Sequence, residues 1–82
     1  MPVGKVIMYG TTWCPDCARS KRCLEKHGVA YEWRDIDKDD KAREYVVEVN
    51  HGNRSVPTIV FADGSILVEP NDAQLEKKLH AK

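Results

Sequence analysis

The sequence predicts an α/β fold in which a mixed four-stranded sheet is flanked by helices. Strand-like and helix-like segments alternate along the 82 residues in the order βαβαββα. Two strands connected through a helix run parallel with a right-handed crossover, whereas the last two, connected through Asp63-Gly64, form an antiparallel hairpin. A chain of this length supports one small domain.

The first half of the chain contains the predicted βαβ unit. Residues 6–9 form an apolar run that suits a strand buried on both faces. Residues 15–27 mix apolar and charged side chains as a helix does, and Gly28 stands at the usual stop position. Residues 29–36 alternate between apolar and charged side chains over most of their length, which predicts a strand with one covered face.

The second half adds a helix, the hairpin and a last helix. An acidic opening followed by an apolar stripe predicts a helix over residues 37–49. The predicted hairpin strands are residues 57–61 and 65–68. Asn71 or Asp72 is expected to cap the last helix, because both side chains can accept from the amides of a first turn.

The composition narrows the classes of partner. Thirteen basic and 13 acidic residues leave a formal net charge of zero, so no overall field favours nucleic acid or an anionic membrane. The N-terminal residues 1–9 lack the length of a signal sequence or a bilayer span. Three cysteines are too few for a disulfide-stapled secreted scaffold. We therefore expect a cytoplasmic protein with no nucleic-acid or membrane partner.

The segment Cys14-Pro15-Asp16-Cys17 is the clearest sign of chemistry. Two thiols three residues apart at the start of a helix can form a disulfide without moving the backbone, and the helix N-terminus stabilises a thiolate. Cys14 is expected at the exposed mouth of the helix, and Cys17 one turn inside it, so Cys14 is the predicted nucleophile. The pattern predicts redox catalysis, with a buried or zinc-bound pair as the alternative.

The other cysteine and a nearby histidine extend the pattern to C-x2-C-x5-C-x3-H. On one continuous helix, however, Cys14 and Cys23 would lie about 13 Å apart, too far to share one zinc ion. Cys17 and Cys23 would be about 9 Å apart, beyond the reach of a disulfide. We therefore expect no metal site here, with Cys23 as a small core residue and His27 at the surface.

Pro57 is the second candidate site residue. A cis Val56–Pro57 peptide bond would turn the preceding backbone groups toward the region of Cys14. The alternative is a proline tolerated at an edge strand.

Several segments together resemble the glutaredoxin branch of the thioredoxin superfamily. They are Trp13 to Cys17, Arg54-Ser55-Val56-Pro57, the hairpin and the last helix, and the likeness covers residues 5–79. Within that branch, residues 50–58 and 61–65 resemble the mycoredoxins, glutaredoxin-like enzymes that use mycothiol.

The resemblance implies a fold and a reaction. The fold is the thioredoxin fold, with sheet order 4-3-1-2, an antiparallel strand 3 and a single glutaredoxin-like domain over residues 1–82. The reaction is thiol–disulfide exchange, with Cys14 as nucleophile and Cys17 as resolving thiol. Pro57 would be cis, and Val56 would offer its backbone to the thiol substrate. The clients would be S-thiolated or disulfide-containing proteins, handled by a monomer with no bound cofactor.

Further residues are expected to bind substrate. Trp13 and Pro15 flank the nucleophile, and Trp13 either forms a wall of the groove or packs against its neighbours. Arg54 either contacts a carboxylate or polar sugar or stays a solvated loop charge. The Asn71-Asp72 cap can present backbone N–H groups to a ligand.

The chain departs from glutathione-using glutaredoxins at two positions. Those proteins usually carry a lysine three positions before the first cysteine and a Gly-Gly pair before the last helix, whereas this chain has Thr11 and Glu69-Pro70. Mycothiol is therefore the expected thiol co-substrate, with glutathione as the alternative.

Two other functions stay open at this level. One is a general protein disulfide reductase of thioredoxin type, fed by a flavoprotein reductase. The other is a glutaredoxin that bridges an iron–sulfur cluster between two subunits, which Pro15 disfavours because cluster-binding relatives often have a less restrictive residue there.

Overall fold

The computed structural model describes residues 6–80, which contain four strands and three helices in the predicted order. They are β1 (Val6–Gly10), α1 (Pro15–Lys26), β2 (Tyr31–Asp35), α2 (Asp40–Val49), β3 (Thr58–Val60), β4 (Ile66–Val68) and α3 (Asp72–Leu79). Residues 1–5, which begin the segment expected to contain no signal sequence, and residues 81–82 lie outside this range. Within residues 6–80, none of the helices is long and apolar enough to cross a membrane.

The four strands form one mixed sheet in the order β2-β1-β3-β4. Strand β1 pairs with β2 in parallel, with Met8 opposite Trp33, and with β3 in antiparallel orientation, with Met8 opposite Ile59. Strand β4 completes the hairpin against β3, where Leu67 lies opposite Ile59. This is the sheet order and strand direction that the resemblance implied.

Helices cover both faces of the sheet. Because successive side chains of a strand point to opposite faces, Met8 and Tyr9 enter different cores. Met8 belongs to a cluster with Leu24 of α1 and Leu75 of α3. Tyr9 belongs to a second cluster with Val46 of α2. Helices α1 and α3 therefore share one face, and α2 covers the other.

Several elements are shorter than the sequence pattern predicted. Helix α2 begins at Asp40, because the side chain of Asp39 accepts from the amide of Ala42 at 3.1 Å and caps the helix there. The backbone before it forms a turn in which the Asp37 amide donates to the Asp35 carboxylate at 2.9 Å. Strand β2 has the expected covered face, because Tyr31 and Trp33 pack against the core, but all five of its residues are only half-buried since β2 lies at an edge of the sheet.

Candidate active site

Cys14 is the N-cap residue of α1. Its Sγ atom accepts a hydrogen bond from the Cys17 amide at 3.3 Å, and its thiol donates to the Val56 carbonyl with an S···O distance of 3.9 Å. The sulfur therefore lies at the positive end of the helix macrodipole, where a thiolate is stabilised. Cys14 is half-buried and remains reachable from solvent.

Cys17 has a different environment, because its side chain is only 1% exposed. Burial raises the pKa of the Cys17 thiol to about 12, and its interaction with Cys14 acts in the same direction. A hydrogen bond from the Thr11 backbone opposes this shift. The pair is thus asymmetric: one sulfur is accessible at a helix N-terminus, and the other is held protonated inside the fold.

Gly10 provides the space in which Cys17 lies. A Cβ atom at this position would lie 2.5 Å from Cys17 Sγ and 2.9 Å from Cη2 of Trp33. Real Cβ atoms do not approach other atoms so closely, so the end of β1 requires glycine for this close approach. The sequence marked Gly10 only as the end of a strand, because nothing in the local pattern shows what packs against it.

Trp13 and Pro15 flank Cys14 on the surface. Trp13 is 71% exposed, and its Nε1 donates to the Asp37 carboxylate at 2.8 Å. Trp13 therefore lies outside the interior and contacts a neighbouring loop. Pro15 is the exposed first residue of α1, where its lack of an amide costs no helical hydrogen bond. Asp37 is not recognisable from the sequence as part of the site, because 24 residues separate it from Trp13.

The segment before β3 brings Val56 to Cys14. The Val56–Pro57 peptide bond is cis, as expected from the resemblance, and Pro57 is buried. The Pro57 carbonyl accepts from the Glu69 amide at 2.8 Å. The Thr58 hydroxyl donates to the Ser55 carbonyl at 2.7 Å, and this hydrogen bond closes the turn that contains Val56 and Pro57.

Arg54, by contrast, is exposed in the loop that leads into this segment. It precedes Val56 by two residues in the sequence. Its side chain is therefore a surface charge near the segment that contacts Cys14.

The start of α3 reaches the site through Arg19. Asn71 is the N-cap and Asp72 the first residue of α3. Arg19 lies 3.2 Å from the Asp16 carboxylate and 3.7 Å from that of Asp72, so it connects the first turns of α1 and α3. Arg19 was not among the residues expected at the site, because it looks like an ordinary charge on a helix face until α3 is in place.

Comparison with known proteins places the chain in a family. A model of the glutaredoxin family matches residues 6–66. A Mycobacterium tuberculosis protein that carries the name glutaredoxin is 42% identical over 79 residues, which cover 96% of this chain and 94% of that protein. Mycoredoxin 1 of Corynebacterium glutamicum is 38% identical over 79 residues, which cover 96% of this chain and 98% of that protein.

Solved structures agree with this relation. The glutaredoxin of Archaeoglobus fulgidus superposes with a TM-score of 0.76 at 30% identity, covering 94% of this chain and 87% of that one. A thioredoxin-like protein superposes with a TM-score of 0.78 at 32% identity, covering 89% of this chain and 97% of that one. The fold is thus the thioredoxin fold. The chain belongs to the glutaredoxin family and is a thiol–disulfide oxidoreductase that works with a low-molecular-weight thiol.

Proposed function

We propose that this chain reduces mixed disulfides between proteins and mycothiol, with Cys14 as the nucleophile and Cys17 as the resolving thiol. The observation that carries the proposal is the position of Cys14 Sγ, 3.3 Å from the Cys17 amide and 3.9 Å from the Val56 carbonyl. This position lies at a helix N-terminus, which favours negative charge, and beside the Val56 backbone, with which a thiol substrate can pair.

The first step is thiol–disulfide exchange at Cys14. Its thiolate attacks the mycothiol sulfur of the mixed disulfide, so the bond to the client protein breaks and the client cysteine leaves as a thiolate that takes up a proton. Cys14 is then joined to mycothiol by a disulfide. A second mycothiol attacks the bound mycothiol sulfur, forms oxidised mycothiol and returns Cys14 to its thiolate.

Cys17 supplies a second way to resolve the intermediate. After losing its proton it attacks Cys14 Sγ, which releases reduced mycothiol and forms the Cys14–Cys17 disulfide. Burial holds the Cys17 thiol protonated near neutral pH, with a pKa of about 12, so this attack needs the proton to leave first. We therefore propose that the route through a second small thiol is the faster one.

Surface residues around Cys14 are proposed to bind the substrate. The exposed indole of Trp13, held by its hydrogen bond to Asp37, offers a flat apolar wall beside the nucleophile. Pro15 extends this surface on α1, and the Val56 backbone pairs with the extended thiol compound. The exposed guanidinium of Arg54 is proposed to contact a polar sugar or carboxylate of the thiol compound.

The choice of mycothiol rests on the segment before α3. In glutathione-using relatives a Gly-Gly pair here receives the γ-glutamyl carboxylate. In this chain Pro70 has no amide, and the Glu69 amide already donates to the Pro57 carbonyl at 2.8 Å. The Glu69 carboxylate also adds negative charge. Mycothiol, an acetylated cysteine joined to a glucosaminyl-inositol, has no γ-glutamyl carboxylate that needs such a pocket.

The test is a side-by-side assay on one client protein capped with either mycothiol or glutathione. We expect a clearly higher kcat/KM for the client capped with mycothiol, because the segment before α3 discriminates between the two thiols. Equal or better turnover of the glutathione-capped client would contradict mycothiol selectivity. Efficient reduction of the oxidised chain by a thioredoxin reductase without any small thiol would contradict the proposed function itself.

A double variant tests the structural cause of this preference. Glu69→Gly together with Pro70→Gly restores the Gly-Gly pair, and glycine suits position 69, where Glu69 has a left-handed φ of 50°. We expect kcat/KM for the glutathione-capped client to rise while that for the mycothiol-capped client changes little. As a control, Ala62→Gly in the hairpin loop should leave both values unchanged. An unchanged ratio in the double variant would place the selectivity elsewhere.

A further inference from the structure

A second cluster of reactive side chains lies between α1 and α3. Cys23 and His27 are four residues apart on α1, so they share one face of the helix at its C-terminal end. Glu76 reaches the same place from α3. One ligand atom from each residue lies within 4.8 Å of the other two. On α1, Cys23 is about 13 Å from Cys14 along the axis, so the cluster is separate from the candidate active site.

The histidine of this cluster has a buried nitrogen for which the described part of the chain offers no hydrogen bond. Within residues 6–80, no hydrogen bond reaches the buried Nε2 of His27, although the Glu76 carboxylate lies 3.5 Å away. Buried polar atoms in folded proteins are bonded in the great majority of cases. Cys23 is 5% exposed beside it. Nε2 of His27 therefore lies close to the Glu76 carboxylate, and one nitrogen of the same ring lies within 4.8 Å of the Cys23 sulfur.

We propose that Cys23, His27 and Glu76 bind one zinc ion. A thiolate sulfur, an imidazole nitrogen and a carboxylate oxygen are the three ligand types that zinc takes in proteins. Because only one of the three residues offers an oxygen, the set does not suit calcium or magnesium. Binding displaces the Cys23 thiol proton to solvent, and the thiolate and carboxylate together then balance the charge of the dication.

The geometry allows this ligation with small side-chain movements. Zinc bonds of about 2.0 to 2.3 Å place ligand atoms roughly 3.5 Å apart, which is about 1 Å closer than the widest separation here. An open groove between α1 and α3, lined by both Cys23 and Glu76, gives the ion a way in. Water from this groove completes the fourth position. The bound ion would tie the end of α1 to α3.

The test removes the competing thiols first. The chain has three cysteines, so a Cys14→Ser/Cys17→Ser variant keeps Cys23 as its one thiol. We expect Co²⁺ titration of this variant to produce a thiolate-to-cobalt charge-transfer band in the near ultraviolet, saturating at one equivalent and disappearing when Zn²⁺ is added. In this background, Glu76→Gln and His27→Gln should each weaken the affinity about tenfold or more, whereas Glu44→Gln on the exposed face of α2 should not.

Two outcomes would overturn the proposal. One is the absence of a charge-transfer band, and the other is a band whose affinity is the same with and without both His27 and Glu76. Circular dichroism checks that the double-serine variant is folded. If it is not, equilibrium dialysis of the otherwise wild-type chain decides the matter: Cys23→Ala should bind one equivalent of Zn²⁺ fewer, and an equal number would contradict the site.

Discussion

Cys14 and Cys17 are close in the sequence, but their surroundings give the two thiols different chemistry. Cys14 is half-buried at a helix N-terminus, where an amide points at its sulfur. Cys17 is almost fully buried, and burial raises the pKa of its thiol to about 12. Nucleophilic attack requires access to the sulfur, and of these two thiols Cys14 is the one that solvent can reach, at a helix N-terminus.

Serine substitutions separate the roles of these two residues. We expect Cys14→Ser to abolish reduction of mixed disulfides, because the attacking sulfur is lost. Cys17→Ser should retain reduction through a second small thiol, since Cys17 only competes for the intermediate. Steady-state assays on an S-thiolated client measure both variants. Equal loss in the two would indicate an obligatory dithiol mechanism.

Gly10 is a second residue whose identity matters to the site. A methyl group added at this position would overlap Cys17 Sγ and the Trp33 ring, and neither can move away freely inside the fold. We therefore expect Gly10→Ala to lower the free energy of unfolding by about 1–3 kcal/mol, the range typical of overpacking.

Urea denaturation measures this change, and Gly28→Ala is the comparison. Gly28 has a left-handed φ of 70°, and no atom of the described residues lies within 4 Å of an added Cβ, so its replacement should reflect backbone strain of about 1 kcal/mol. The two variants should also differ at the thiols, because only Gly10→Ala displaces Cys17. An unchanged rate of Cys17 alkylation in folded Gly10→Ala would argue against the proposed contact.

At the scale of secondary-structure elements, the helix starts are the best-defined features. Each helix has a side chain that accepts from its first turn: Cys14 for α1, Asp39 for α2 and Asn71 for α3. Such caps satisfy amides that have no partner inside the helix. In α1 the capping atom is Cys14 Sγ, the sulfur of the candidate nucleophile. The hydrogen bond from the Cys17 amide therefore both caps the helix and places a donor at this sulfur.

The cap of α3 allows a direct measurement of how much a helix cap contributes to the free energy of unfolding. Asn71 Oδ1 accepts from the Gln74 amide at 2.8 Å, and Gln74 Oε1 accepts from the Asn71 amide at 2.9 Å. Asn71→Ala removes the first of these bonds, so we expect the free energy of unfolding to fall by about 1 kcal/mol in urea denaturation. Asn53→Ala, which removes a loop hydrogen bond at 3.3 Å, should change it much less. Equal effects would show that the cap adds no particular stability.

At the scale of the whole molecule, burial of ionisable groups makes folding sensitive to alkaline pH. Burial raises the pKa values of Cys17 and Tyr31, each to about 12, and a hydrogen bond to Glu25 adds to the shift of Tyr31. The pKa values of Cys23 and Tyr9 are raised in the same direction by burial. At a pH between its unfolded and native pKa values, each of these groups is protonated in the native state and deprotonated in the unfolded chain.

The sign of the effect follows from this proton difference. Above the ordinary thiol pKa of 9.0 the unfolded chain binds fewer protons than the native one, so the free energy of unfolding falls as pH rises toward 12. One such thiol contributes at most about 1.4 kcal/mol per pH unit. We expect urea midpoints to decline steeply above pH ~9. Cys17→Ser should flatten the decline, and Tyr31→Phe should do so above pH ~10. Parallel curves for wild type and both variants would contradict this assignment.

The sequence by itself determined the features that depend on short-range patterns. The order of the elements, the hairpin at Asp63-Gly64 and the cysteine pair at the start of α1 all follow from side-chain periodicity and turn chemistry within a few residues. The boundaries were less exact, because caps such as Asp39 decide where a helix begins. The likeness to a family supplied the sheet order, which short-range patterns do not contain.

Only the tertiary structure decided which distant residues meet. Pairing of β3 with β1 brings Val56 to Cys14 across 42 residues of sequence. Packing of α1 and α3 on one face of the sheet brings Glu76 to Cys23 and His27. The sequence placed Cys23 in the core and His27 at the surface, whereas in the structure His27 is half-buried beside α3. The physical reason is the same in both cases: a sheet and its covering helices join side chains whose separation along the chain carries no local signal.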